Sequence, residues 1–195
     1  MKKRIVMIMC VAVILITAMP AYAVSFSDIN EHWAHDNIVN LAEQGIVNGY
    51  EDGTFRPENN VTYGEFIKLV VCRYLPEKSI IKNIPGLHWA AGYVSTAEIF
   101  KLMPQGTVFL EELDLPITRM EMVKILAIID SNVTSKEYTK KKELDFIDIG
   151  HLPTVYVEYL ERAVNRGFIL GNPDKTFKPE GNLSRAEMVT ILTRL

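Results

Sequence analysis

Apolar residues Ile38, Leu41 and Ala42 fall three and four positions apart, the spacing that lines one face of a helix. The pattern stops at Gly45, which reads as a left-handed residue just past a helix end. Residues 49–60, GYEDGTFRPENN, are dense in Gly, Asp, Asn and Pro, which is turn chemistry. Apolar density returns in residues 66–72, within a second helix predicted to begin at Thr62. There Thr62-x-x-Glu65 has the form of a capping box, hydroxyl onto the N3 amide and carboxylate back onto the N-cap amide.

This helix–loop–helix pattern recurs. From Gly45 onward the chain matches itself without a gap 122 residues later: Gly45 with Gly167, Gly49 with Gly171, Asp52 with Asp174, Phe55 with Phe177, Pro57 with Pro179, Glu65 with Glu187. A weaker copy lies 56 residues after the first, pairing Trp33 with Trp89, Thr62 with Thr118 and Glu65 with Glu121. The expected organisation is repeat 1 over 24–76, a degenerate repeat 2 over 77–135 and repeat 3 over 136–195, in a mainly α fold. A single helix pair has too little apolar surface to fold alone, so the three should share one core. The connections at 76–86 and 131–145 are more polar, and the second reads as an exposed linker or a marginal helix.

Composition and charge narrow the classes. The 195 residues are 48% hydrophobic with a net charge of -3, so no concentrated basic surface for nucleic acid is expected. Lys2, Lys3 and Arg4 precede an uncharged, mostly apolar run over 5–18, and Ala21 and Ala23 hold the small-residue positions of a cleavage site. Residues 1–23 therefore read as a secretory signal peptide; the run is short of the ~20 residues that span a bilayer. The cleaved chain would be exported and not membrane-spanning. It would keep one cysteine, Cys72, expected to be a buried small residue in an apolar helix.

The Phe-x-Asp-Ile start, the His-Trp pair, the loop over 45–57 and the helix start at 62–65 resemble the S-layer homology family over residues 26–195, nearly the whole cleaved chain. The resemblance implies a three-pronged, pseudo-threefold helical bundle on the outside of a bacterial cell. It also implies non-covalent binding of cell-wall polysaccharide, often a secondary polymer carrying pyruvate ketals, in grooves between neighbouring repeats. No cofactor is implied.

The residue after each helix N-cap is Tyr63, Arg119 or Arg185. A guanidinium beside a helix N-terminus combines a fork of donors with free backbone amides and the positive end of the dipole, an arrangement suited to a carboxylate. Arg119 and Arg185 are thus the expected anion contacts. Trp33 and Trp89 are equally readable as sugar platforms or as core residues, and Gly49, Gly171 and Asp174 would shape the grooves. Each repeat departs from the family pattern. Tyr63 and Gly64 replace the usual Arg and Ala in the first, the second lacks the Asp-Gly-Thr-Phe-x-Pro run, and Val155 aligns with the tryptophan position in the third. Two rival classes stand beside wall binding. One is a diverged scaffold for assembly with another envelope protein, suggested by Val108, Phe109 and Leu110. The other is a wall-acting hydrolase, which would need a pocket with two carboxylates. No catalytic or metal-binding motif is found in the sequence.

Overall fold

The computed structural model describes residues 24–134 and 142–195. The signal peptide expected over 1–23 and the centre of the 131–145 connection lie outside the described residues. Six α-helices carry the fold, with no named strand among the described residues: α1 (His35–Glu43), α2 (Tyr63–Tyr74), α3 (Ala91–Ile99), α4 (Arg119–Val133), α5 (Thr154–Asn165) and α6 (Arg185–Leu192). The protein is mainly α, as its periodicity predicts.

The helix starts read from sequence form as capping boxes at Thr62–Glu65 and Ser184–Glu187. At the third site only half forms. The Glu121 amide donates to the Thr118 hydroxyl at 3.2 Å, while the Glu121 carboxylate is drawn away to Lys124 and Tyr156. A charged partner offers that carboxylate a stronger hydrogen bond than the neutral N-cap amide does.

The three helix starts meet at a hub. Val61 donates its amide to the Leu183 carbonyl, Leu183 to Ile117, and Ile117 to Val61, each at 2.9 Å, so the bonds close a ring. All three side chains are fully buried. The first two amides of each following helix are also taken. Tyr63 and Gly64 donate to Leu115 and Leu113, Arg119 and Met120 to Gly181 and Pro179, and Arg185 and Ala186 to Asn59 and Pro57. The expectation of free amides beside Arg119 and Arg185 is therefore corrected: orphan amides at a buried helix end must be satisfied, and here the neighbouring segment's loop satisfies them.

The main helix pairs do not form within the segments that the repeats define. α3 packs on α2, α5 on α4 and α1 on α6, so each of these pairs crosses a predicted repeat boundary. One hydrophobic cluster runs through all three segments, from Ile29 and Ile38 through Ile67, Leu126 and Ile129 to Leu160, Phe177 and Val189. The α4–α5 pair is also tied by Asp130, almost fully buried, which accepts from Arg162 Nε at 2.6 Å and Arg166 Nε at 2.9 Å. Cys72 is exposed, contrary to the expectation of burial, because it lies on the face of α2 turned away from that core. Partial desolvation nonetheless raises its thiol pKa, which does not favour a thiolate nucleophile.

Candidate functional site

Two aspartates missed as functional candidates hold the loops in place. Asp28 Oδ1 and Oδ2 accept from the Phe55 and Arg56 amides at 2.8 and 2.7 Å, and Asp148 does the same for Phe177 and Lys178 at 2.8 and 2.7 Å. Desolvation pushes each carboxyl up, but the paired amides outweigh it and hold the pKa below the ordinary value. The signal was present in the Phe-x-Asp-Ile start of each match. Inside the loops, Asp52 and Asp174 each accept from the amide and hydroxyl of the threonine two residues on, at 3.0 and 2.6 Å. The Thr54 hydroxyl, the Arg56 guanidinium and the Thr54 amide bring Asp52 down to about 2. Asp174 thus serves its own loop and lines neither the cleft at Trp33 nor the cleft at Trp89.

The glycines admit a ring. A Cβ on Gly49 would collide with Phe26, and one on Gly171, at φ +76°, would collide with Phe146. Those rings pack against Phe55 and Phe177, so each loop folds over an aromatic pair. Gly171 lines a cleft directly; Gly49 sits beside Asn48, which does.

Two clefts gather the remaining candidates, each from three separate parts of the chain. The first, about 490 Å³, brings Trp33 together with Arg119, the loop from Gly171 to Pro173, Glu187 and Arg194. The second, about 260 Å³, brings Trp89 together with Arg185, Asn48, Glu65 and Lys68. Both tryptophans are exposed, Trp33 at 64% and Trp89 at 44%, which settles the question of core packing against it. Each leans on the histidine before it, with ring centroids 5.3 Å apart for His32 and 5.4 Å for His88. Those histidines are fixed in turn. His32 Nδ1 accepts from the Ala34 amide and its Nε2 faces Glu58 at 2.8 Å, while His88 makes the same pair of contacts with Ala90 and Asp114. With Nδ1 accepting, the proton sits on Nε2. Gly64 has a use here as well: a Cβ there would crowd Ala90, the Leu113 carbonyl and the Trp89 ring.

The two arginines differ in what they leave available. Arg119 is 8% exposed; its Nε donates to the Phe177 carbonyl at 2.7 Å and its Nη1 to Glu187 at 2.5 Å. Arg185 donates to the Phe55 and Asn48 carbonyls at 3.0 and 2.9 Å, lies 4.4 Å from the Phe55 ring centroid and meets no carboxylate among the described residues. Arg119 therefore enters its cleft charge-compensated, and Arg185 does not.

The corresponding third position is built differently. Tyr63 stands in place of arginine, and Glu121 is held by Lys124 Nζ at 2.7 Å and the Tyr156 hydroxyl at 3.3 Å. Desolvation first, and then the Glu121 charge, push the Tyr63 and Tyr156 phenols up. Val155 and Tyr156 lie in the first turn of α5, and neither supplies an indole there.

A mainly helical repeat module with composite aromatic and cationic clefts is the class of protein these observations define. The S-layer homology domain matches residues 25–67 and 148–189, and the chain belongs to that family. The middle segment, which lacks the loop motif, falls outside both matches. Cell surface glycoprotein 1 of Acetivibrio thermocellus is 32% identical over 170 residues, covering 77% of this chain and 7% of that protein. The cellulosome-anchoring protein of the same organism is 34% identical over 164 residues, covering 76% of this chain and 35% of its own length. Exoglucanase XynX, also from Acetivibrio thermocellus, is 28% identical over 177 residues, 87% of this chain and 16% of the enzyme. This chain thus spans a minor part of each relative's length. Among the described residues no helix is long and apolar enough to cross a membrane.

Proposed function

We propose that the protein is an exported bacterial cell-surface component that holds cell-wall secondary polysaccharide non-covalently, an anchoring role of the kind its relatives' names carry. In this reading residues 1–23 are removed on export and 24–76, 77–135 and 136–195 act as three repeats around one core. The observation that carries it is the pair of clefts, each joining an exposed tryptophan to an arginine and a turn from other segments. An indole face beside a guanidinium suits an anionic sugar, the ring stacking and the carboxylate taking the fork. A polymer bearing pyruvate ketals has that chemistry.

At the third position Tyr63 stands for arginine and the cation present, Lys124, is paired with Glu121, so two clefts serve the polymer. The test is co-sedimentation of residues 24–195 with purified sacculi, intact or stripped of secondary polymer. Binding to intact sacculi only supports the reading, and equal binding to both opposes it.

A second reading, assembly with another envelope protein, has its own observation. Ile99, Phe100, Phe109, Leu110 and Leu115 are all exposed in the middle segment, although Val108 is buried. Exposed apolar side chains that gather into one patch mark an interaction surface. The hydrolase reading gains no such support. Each cleft is lined by a single carboxylate, Glu187 or Glu65, and that carboxylate is bonded into a capping box.

A further inference from the structure

The three ionisable residues lining the Trp33 cleft are Arg119, Glu187 and Arg194. Arg119 and Glu187 neutralise each other at 2.5 Å. The Arg194 side chain makes one hydrogen bond among the described residues, from Nη1 to the Phe168 carbonyl at 3.2 Å, and forms no ion pair with any described carboxylate. The uncompensated charge of this cleft is thus Arg194, which belongs to none of the repeated motifs. Its counterparts in the other two segments are Cys72 and Ile128. In the Trp89 cleft the second cation is Lys68, whose counterpart is Thr190, a buried residue lining the Trp33 cleft. Arg194 lies four residues beyond Thr190, just past the end of α6 at Leu192, and lines the same cleft. The second cation has moved by four residues and changed from a point charge to a planar fork.

We propose that Arg194 is the specificity-determining residue of the Trp33 cleft, supplying the guanidinium that pairs with the ligand carboxylate while Arg119 holds the cleft wall in place. This rests on the anionic-polysaccharide reading above. The Trp89 cleft performs the same task with Arg185 and Lys68, so the two clefts of one chain recognise the same anion through different cation pairs.

The sequence contains two tryptophans, one in each cleft, and this makes the test direct. Trp89→Phe leaves Trp33 as the sole indole reporter, and Trp33→Phe leaves Trp89. Each protein is titrated by fluorescence with a monosaccharide 4,6-pyruvate ketal and with its uncharged methyl ester. The Trp33 reporter is expected to respond to the ketal, with affinity falling at least tenfold in Arg194→Gln and partly restored in Arg194→Lys. The ester should bind weakly throughout. The Trp89 reporter should be unaffected by Arg194→Gln, which also shows that the variant is folded. A Trp33 titration unchanged by Arg194→Gln, or a silent Trp33 alongside a responsive Trp89, overturns this proposal alone. Silence of both reporters overturns the anionic-polysaccharide reading with it.

Discussion

Trp33 and Trp89 are large apolar side chains that the fold leaves in solvent, each steadied by a histidine whose two ring nitrogens are both engaged. The sequence could not decide between platform and core for them, because helical spacing alone does not say which face is covered. At the same scale the aspartates have a pH signature. Asp28, Asp52, Asp148 and Asp174 all have folded pKa values below the ordinary 3.8, Asp52 reaching about 2. Such groups add stability that is complete above the unfolded pKa and is lost as pH falls through the folded one. Thermal midpoints should therefore hold from neutral pH down to about 4 and drop between there and about 2. Asp148→Asn should lower the midpoint at pH 6 and shrink the acid loss; an acid loss of wild-type size would contradict the role of its paired amides. Gly171 offers a steric counterpart. With φ at +76° and Phe146 against it, Gly171→Ala is expected to cost about 2 kcal/mol by denaturant melt.

At the scale of elements, what is local was legible and what is distant was not. Thr62 with Glu65, and Ser184 with Glu187, lie three residues apart, so their capping boxes could be read directly from the chain. The carboxylate of Glu121 departs from that pattern because Lys124, three residues on, and Tyr156, 35 residues away, both compete for it. Arg119 was legible as a cation at a helix start, but not the Glu187 that neutralises it across 68 residues. Arg194 carried no signal because its counterparts in the other repeats, Cys72 and Ile128, are not cations. Two element-scale predictions follow from these contacts. Ser184→Ala removes an N-cap acceptor and should cost about 1 kcal/mol. Asp130→Ala leaves two arginines facing a buried site between α4 and α5 and should cost about 3 kcal/mol, both measured by urea unfolding.

For the whole molecule, the repeats visible in the sequence are not the packing units. Every helix pairs across a predicted repeat boundary, and the ring of Val61, Leu183 and Ile117 needs all three segments at once. A shared core could be expected because one helix pair buries too little. The order of pairing could not, since repeats alike in sequence do not reveal which neighbour each helix chooses. Unfolding should accordingly be a single transition by circular dichroism and by tryptophan fluorescence, and residues 24–76 alone should show no cooperative melt. The central claim is that the Trp33 and Trp89 clefts hold wall polymer, and co-sedimentation with sacculi tests it most directly. Wild-type protein, Trp33→Ala, Trp89→Ala and the double variant are compared on intact and polymer-stripped sacculi. The account predicts that wild type pellets only with intact sacculi, each single variant binds more weakly, and the double variant, still cooperatively folded, stays in the supernatant. A double variant that pellets like wild type would contradict it.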